Sequence, residues 1–340
     1  MSIEVVKHGF LTTLQDAGRP GFAHLGIGRS GAFDAPALRI ANALAGNPRD
    51  ACGIEFTLLG PTLQFRRGAW VAVTGAPIAF RIDEIDAPMW APVRIAAGAR
   101  VELGAVRSGC RGYLAVRGGF DVEPVLGSRS TDVNSALGPL PRPLRAGDRL
   151  AIEMAAEMGS GSFFPILSRT RELALKNEPD PISWSVDARP WFDDEPESPL
   201  RLLPGRYLDC LAETSRKPLF SEKFHATQES NRAGVRLDGP KLRWERQPEP
   251  VSEGCVPGLL QLPPSGQPIA FGPECPVSGG YPPIGQIAAV DLPRLAQRRP
   301  GDTIRFRPCT LEDALDALHK RERALLKLET TIAARLRSEA

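Results

Sequence analysis

GFLTTLQDAGRPGFAHLGIGRSGAFD, residues 9–34, is the stretch that decides how the chain is interpreted. Gly26, Gly28 and Gly31 spell G-x-G-x-x-G, and a helix is predicted to follow, from about Ala32 or Phe33 to Ala45. That pattern indicates a dinucleotide-binding turn only where a buried strand leads into the first glycine. The preceding residues are rich in Asp, Gly, Pro and His, a loop composition. We therefore interpret the glycines as turns.

The composition favours short strands joined by turns. The chain has 33 glycines and 33 prolines in 340 residues, well above the usual total of about 12%. Its 42% of apolar residues suffices for the cores of two or three domains. Five apolar runs are predicted to be strands: Leu63–Phe65, Trp70–Val73, Ile78–Ile82, Arg100–Leu103 and Tyr113–Val116.

Charge and cysteine usage exclude several functional classes. With 42 basic and 40 acidic residues and no evident basic face, we expect no nucleic-acid partner. No run of 18 apolar residues and no apolar signal core occur, so a cytoplasmic protein without membrane contact is expected. The six cysteines and four histidines lack metal-ligand spacing, which predicts free thiols and no metal site.

The pattern along the chain predicts four segments. They are a β-rich barrel module (1–154), a polar linker or long loop (155–198), a second barrel module (199–308) and a C-terminal helix (309–340). Within the linker, Trp184 and Trp191 are large apolar side chains that favour burial, so part of the linker is expected to pack against the rest of the protein.

Two internal echoes suggest that the barrel modules are related. Leu59–Phe65 resembles Asp238–Trp244, and Arg145–Leu150 resembles Arg299–Ile304, in the same order. A glycine turn followed by alternating apolar residues is a common hairpin device, so each echo alone is weak.

The last thirty residues show a helical pattern. Thr310 and Asp313 form a capping box. Leucine or isoleucine then recurs every seven residues, at Leu311, Leu318, Leu325 and Ile332, and the stripe is widened by Leu315, Leu328 and Leu336. A seam this short is not a free coiled coil. The helix either packs on its own domain or docks on a separate partner protein.

Several sequence blocks resemble one known family. Thr12–Gly21, TTLQDAGRPG, and Ser30–Asp34, SGAFD, resemble the opening of the KipA family. That family comprises the C subunit of the bacterial 5-oxoprolinase complex, also called allophanate hydrolase subunit 2, and half of the carboxyltransferase region of urea carboxylase. Further matching blocks follow in order: Ala41–Asn47, Glu55 before Leu58–Pro61, Gly127–Asp132, Ser252–Gly254, Gln261–Pro268 and Gly279–Pro282.

The resemblance implies a mainly β fold: two cyclophilin-like β-barrel modules with a short N-terminal helix and a C-terminal helix. It implies a KipI-type B subunit that completes the site, and an A subunit that joins them. Such a complex opens the lactam of 5-oxoproline to glutamate with ATP. The chain alone is expected to be inactive. No G-x-x-x-x-G-K-[ST] phosphate loop occurs, so ATP would be bound elsewhere in the complex or at an unconventional site.

Departures from the family pattern leave the substrate open. The 5-oxoprolinase branch usually carries Asp-Arg-Gln-Thr-Thr before Gly-Gly-Tyr-Pro-Lys, whereas this chain has Pro273–Ser278, PECPVS, and then Gly279–Pro283, GGYPP. The usual Ser-Asp-Arg appears as Ser-Asn-Arg in Ser230–Gly234. One alternative is a urea carboxylase-like, biotin-dependent carboxyltransferase subunit, with biotin supplied from elsewhere because no Met-Lys-Met context exists. Another is a KipA-type regulatory binding protein.

ATP-assisted lactam opening needs donors for developing negative charge and an acid or base for the proton. The predicted catalytic residues are Arg129, Asp132 and Glu253, of which Arg129 can hold a carboxylate or phosphate bidentately. The alternative for the 127–132 loop is a structural turn in which Asp132 caps backbone amides.

A second set of residues is predicted to bind substrate. Its members are Ser30, Gly31, Asp34, Ser130, Thr131, Gln261, Gln267, Gly279, Gly280 and Tyr281. For Asp34 the alternative is a helix cap. For Gly279 and Gly280 it is a plain tight turn, and for the glutamines it is a hydrogen-bonded place in the barrel wall. Glu55 stands alone in an apolar stretch, so burial with a partner and a site role are both open.

Overall fold

The computed structural model describes residues 2–153, 184–192 and 198–338. They divide into two compact units that are not contiguous in sequence. The first comprises Met1–Ala17, Ala35–Phe192 and Ala324–Ala340, and the second comprises Gly18–Asp34 and Asp193–Arg323. The module boundaries at 1–154 and 199–308 stay a prediction. The predicted modules place Gly18–Asp34 in the first module, whereas in the structure this segment packs with the second unit, where Phe33 joins the hydrophobic core.

The first unit is built on two antiparallel sheets. In chain order its strands are β1 (Ser2–Lys7), β2 (Leu11–Gln15), β3 (Gly53–Thr57), β4 (Thr62–Phe65), β5 (Ala69–Gly75), β6 (Ile78–Ile82), β7 (Ile85–Asp86), β8 (Pro92–Ile95), β9 (Arg100–Val106), β10 (Arg111–Val116) and β11 (Arg149–Ala151). The sheet orders are β11-β1-β4-β9-β6-β7 and β2-β3-β10-β5-β8. All five predicted strands are confirmed, as β4, β5, β6, β9 and β10.

The core of the first unit lies between these two sheets. β1 alternates, with Ile3 and Val5 buried, and β5 contributes Val71 and Val73 to the same apolar cluster. Alternation is what a sheet with one buried face requires. β10 is buried at every position, because helix α1 (Ala35–Ala45) covers the outer face of its sheet. Ala115 meets the small residues Ala41 and Ala45 of that helix.

The predicted helix is confirmed, beginning slightly later than expected. Ser30 and Gly31 have φ of 54° and 97°, which excludes a right-handed helical start there. Pro36 instead occupies the first turn, where its missing N–H costs nothing. Residues 23–25 form a short 3₁₀ turn, so no strand leads into Gly26, as the loop composition of this segment predicted.

The second unit is an eight-stranded, nearly closed, barrel-like sheet with a small two-stranded ladder. Its strands are β12 (Leu200–Pro204), β13 (Phe224–Ala226), β14 (Gly234–Asp238), β15 (Glu253–Gly254), β16 (Leu259–Gln261), β17 (Ile269–Phe271), β18 (Ser278–Gly279), β19 (Pro283–Ile287), β20 (Thr303–Ile304) and β21 (Phe306–Pro308). The main order is β20-β13-β14-β17-β16-β19-β12-β21, and β15 pairs with β18. Helices α2 (Glu213–Ser221) and α3 (Leu292–Ala296) complete it. The mainly β prediction is confirmed.

One internal echo has the same backbone structure in both units. Gly147 and Gly301 each have φ of 91°, and each donates its N–H to a strand carbonyl at 2.8 Å. The carboxylates of Asp148 and Asp302 each accept the N–H of the arginine three residues earlier. The other echo is not reproduced, because residues 239–244 include no strand to match β4.

The C-terminal helix α4 (Leu311–Ser338) is confirmed, with its capping box. Asp313 N–H donates to Thr310 Oγ1 at 3.1 Å, and Thr310 Oγ1–H donates to the Asp313 carboxylate at 2.7 Å. In the first unit, Leu325, Ile332 and Leu336 are buried in one apolar cluster, which confirms packing on its own domain there. In the second unit, the exposed members of the stripe are Leu311 and Leu315. Docking of the helix on a partner stays a prediction.

Most of the predicted linker, 155–198, lies outside the described residues. Its described part, 184–192, packs as expected: Trp184 and Trp191 lie against the cluster that contains Leu325. Val186 N–H also donates to the Trp90 carbonyl at 2.8 Å. None of the described helices combines the length and apolar character needed to span a bilayer.

Candidate functional site

In the first unit, residues 12–17 of the Thr12–Gly21 block are joined to the Gly127–Asp132 block by a buried carboxylate. Asp16 accepts hydrogen bonds from the hydroxyls of Ser128 and Ser130 and from the Arg129 N–H. Gln15 Nε2 donates to the Thr131 carbonyl at 2.9 Å. The two family blocks are therefore held together by one hydrogen-bonded network.

Arg129 and Asp132, predicted to be catalytic, have protein partners. The Arg129 guanidinium donates to the Val122 carbonyl at 2.8 Å and to the Glu153 carboxylate at 2.9 Å. Asp132 is buried and accepts the Ser135 N–H at 3.0 Å. Those contacts of Asp132 are the ones expected for the structural-turn alternative. A catalytic role for either residue stays a prediction.

Ser130 and Thr131 are also bonded within the first unit. Ser130 Oγ accepts the Asp16 N–H at 3.0 Å, and Thr131 Oγ1 donates to the Leu140 carbonyl at 2.8 Å. Both side chains are completely buried. Their predicted contact with substrate is not tested by these bonds.

In the second unit, Ser30 and Gly31 are held by a buried ion pair. Arg232 donates to the Glu274 carboxylate and, at 2.6 Å, to the Gly31 carbonyl. Ser30 N–H donates to the Pro273 carbonyl at 3.0 Å. Arg232 thus connects the SGAFD block to the PECPVS segment, in which this chain departs from the family pattern.

Two further predicted binding residues have structural partners in the same unit. Asp34 is buried, and its carboxylate accepts a hydrogen bond from Gln297 Nε2 at 2.8 Å. Gln267 Nε2 donates to the Gly239 carbonyl at 3.0 Å. The bond from Gln297 accounts for the buried carboxylate of Asp34, whereas Gln267 Oε1 is buried without a hydrogen-bond partner among the described residues.

Four other predicted residues of this unit line a cavity on the eight-stranded sheet. Its volume is about 280 Å³, and its lining includes Gln261, Gly279, Gly280 and Tyr281. Glu253 pairs with Gly279 across the small β15–β18 ladder. A cavity of this size suits a small molecule. We take it as the candidate functional site.

The floor of the cavity is one face of the sheet. Gly234 lies opposite Phe271, and Arg236 lies opposite Ile269, which in turn lies opposite Gln261. Directly opposed residues share a face, so these five form a continuous patch over β14, β17 and β16. A Cβ at Gly234 would lie 3.0 Å from Ile269 Cγ2, so a larger residue there would intrude on the floor.

Several lining residues were not predicted from the sequence, among them Asn231, Arg236 and Phe271. A signal for one of them was present: in the GVRLD run of β14, Val235 and Leu237 are buried and Arg236 is exposed. That alternation predicts a strand with one polar face. What that face meets depends on the neighbouring strands.

Cys255 lies beside the cavity without lining it. Its Sγ is 3.7 Å from Gln261 Nε2. Burial, and then the charge of Glu253, raise the pKa of the Cys255 thiol. A nucleophilic cysteine needs a lowered pKa, so the thiol is not set up as a nucleophile.

Glu55 is buried with partners in the first unit. Tyr113 Oη donates to its carboxylate at 2.8 Å, and Arg111 Nε lies 3.6 Å from the other oxygen. These contacts favour the burial alternative. Among the residues the structure describes, no cluster of His, Cys, Asp or Glu could hold a metal ion.

Comparisons with known proteins identify the family. Residues 25–308 match the profile described as "Carboxyltransferase domain, subdomain A and B". The chain is 36% identical over 324 residues to the C subunit of 5-oxoprolinase from Escherichia coli, covering 94% of this chain and 96% of that protein. It is 30% identical over 358 residues to urea amidolyase of Saccharomyces cerevisiae, covering 99% of this chain and 18% of that protein.

The solved structure of the Kluyveromyces lactis urea carboxylase is similar with a TM-score of 0.83 and 27% identity, covering 96% of this chain and 29% of that one. The chain belongs to the carboxyltransferase domain family, which confirms the resemblance found in the sequence.

Proposed function

We propose that the chain is one component of an ATP-dependent amidohydrolase complex, most simply 5-oxoprolinase, which converts 5-oxoproline, ATP and water to glutamate, ADP and phosphate. The observation that carries this proposal is the similarity to the C subunit of 5-oxoprolinase, 36% identical over 96% of that protein's length. The partners would be a KipI-type B subunit, which completes the site, and an A subunit.

The cavity of the second unit would hold the lactam. Gly279 and Gly280 allow the backbone to approach a ligand closely, and Tyr281 offers a phenol at the rim. Next to Gly279, one carboxylate oxygen of Glu253 is buried and has no hydrogen-bond partner among the described residues. We assign to this carboxylate the role of accepting a proton from attacking water. ATP would phosphorylate the carbonyl oxygen and would be bound with the help of the partner proteins.

The test is turnover by the assembled complex. The chain, co-purified with its KipI-type B subunit and its A subunit, should consume 5-oxoproline only when ATP is present, and the chain alone should not. In the complex, Glu253→Gln should lower kcat about 10²-fold or more, as expected for loss of a general base. The matched control is Glu249→Gln, an exposed carboxylate four residues away, which should leave kcat unchanged. Absence of turnover by the complete complex would refute the proposal.

A second candidate is a urea carboxylase-like carboxyltransferase subunit that works with biotin held elsewhere. The observation that favours it is the TM-score of 0.83 to the Kluyveromyces lactis urea carboxylase, together with the PECPVS departure from the pattern of the 5-oxoprolinase branch. In that case the complex with a biotin carboxylase and carrier should consume ATP and bicarbonate in response to urea, and 5-oxoproline should have no effect.

A further inference from the structure

The cavity on the eight-stranded sheet has a basic end and an amide end. Arg236, Ile269 and Gln261 occupy one row across β14, β17 and β16. Neighbouring strands are about 4.8 Å apart, so the backbones of Arg236 and Gln261 are separated by about 10 Å. The space between them lies over the apolar side chains of Ile269 and Phe271.

The guanidinium of Arg236 is available for an anion. Its side chain is 51% exposed, and its ion-pair partner Glu229, 3.6 Å away, is 79% exposed. A pair this exposed contributes little, and its carboxylate can be exchanged for another. Arg236 is the only cation, and no carboxylate is present, among the described residues that line the cavity.

We propose that this cavity binds a small monocarboxylic acid that also carries an amide, with Arg236 holding the carboxylate. The amide group would face Gln261 and Tyr281, and the apolar body would lie over Ile269 and Phe271. The inference rests on the proposed function, because 5-oxoproline is a molecule of this class. Arg236 would select a carboxylate-bearing lactam over a neutral amide such as urea.

Ligand binding to the full chain in complex with its B subunit, measured without ATP, tests the proposal without turnover. Titration calorimetry or ligand-observed NMR should show saturable binding of 5-oxo-L-proline and at least about tenfold weaker binding of 2-pyrrolidone, which lacks the carboxylate. Arg236→Met should weaken 5-oxo-L-proline binding about tenfold and leave 2-pyrrolidone binding unchanged. Glu229→Gln, which removes the competing carboxylate, should strengthen 5-oxo-L-proline binding by about twofold.

The matched control is Arg216→Met. Arg216 makes a similar loose pair with Asp209, at 3.5 Å and with side chains 42% and 92% exposed, but it does not line the cavity. This variant should bind both ligands as the wild type does. Equal affinity for the two ligands, no saturation by 5-oxo-L-proline, or the same loss in Arg216→Met would overturn the proposal.

Turnover by the complex and ligand binding by Arg236→Met distinguish failure of the proposed function from failure of the proposed role of Arg236. Carboxylate-selective binding that Arg236→Met abolishes, with no turnover by the complete complex, removes the proposed function and supports the ligand class. Turnover of 5-oxoproline that Arg236→Met leaves unchanged supports the function and removes the role of Arg236.

Discussion

Arg232 and Glu274 form an ion pair inside the second unit, where their side chains are 3% and 1% exposed. Arg232 also donates to the Gly31 carbonyl, so the pair fixes the SGAFD block. Burying two charges is costly unless they compensate one another. Removing only one partner is therefore expected to destabilise this unit, because the other charge stays buried without compensation.

Glu274→Gln removes one charge of this pair with little change in shape. We expect a loss of about 3–5 kcal/mol in the free energy of unfolding, because Arg232 then stays charged without its carboxylate. Chemical denaturation monitored by circular dichroism measures the change. The exposed pair of Arg81 and Asp86 provides the control: Asp86→Asn should cost less than about 1 kcal/mol. Similar losses in both variants would contradict the buried-charge argument.

The turn at Asp148 is expected to make the free energy of unfolding depend on pH. Hydrogen bonds from Arg142 hold the pKa of the Asp148 carboxyl below its usual range. Because the pKa is lower in the folded state, the stabilisation is complete above the unfolded-state pKa, near 3.9, and is lost as the pH falls below it. Asp148→Asn should therefore cost about 1 kcal/mol at pH 7 and progressively less below about pH 4.

Urea denaturation of wild type and Asp148→Asn from pH 7 down to about pH 3 measures this difference. The turn at Asp302 has the same backbone hydrogen bonds, so Asp302→Asn is the matched comparison for the backbone part of the effect. A difference that stays constant over this pH range would show that ionisation of Asp148 does not stabilise the turn.

At the scale of elements, α4 has one buried side and one exposed side. Leu325 is completely buried in the first unit, whereas its neighbour Leu326 is 47% exposed. Replacing either leucine by alanine changes helix propensity equally. The difference between the two variants in the free energy of unfolding therefore measures packing alone.

Leu325→Ala should lower the free energy of unfolding by about 2–5 kcal/mol, the cost of deleting a buried leucine side chain. Leu326→Ala should cost less than about 0.5 kcal/mol, as for most surface substitutions. Thermal or urea unfolding of the two variants measures both. If Leu326→Ala were the more destabilising, the exposed side of the helix would be covered in solution.

The strands show the same dependence of burial on what lies against each face. Alternation in β1 and β14 identifies one buried face, while the uninterrupted burial of β10 results from the helix that covers it. All five strands predicted in the first unit could be located because their pattern is local. The short strands β15 and β18 have no such pattern, since each is two residues long and exists only through its partner.

At the scale of the whole molecule, both units draw on distant parts of the chain. Gly18–Asp34 belongs to the second unit although the residues on either side of it belong to the first. Its contacts run to residues more than two hundred positions away, as in the bonds from Arg232 to Gly31 and from Gln297 to Asp34. A boundary drawn from composition follows the chain in order, so it could not place this segment.

By itself, the amino-acid sequence determined the family, the β-rich class, the two main helices and the glycine turn shared by the two units. Each of these depends on a motif or on residues within one or two turns of each other. Only the tertiary structure decided which motif residues meet: Gln261 and Gly279–Tyr281 line one cavity together with Arg236, and Glu253 pairs with Gly279 beside it. Strand register and pairing between distant segments bring them together, and neither is encoded in a local pattern.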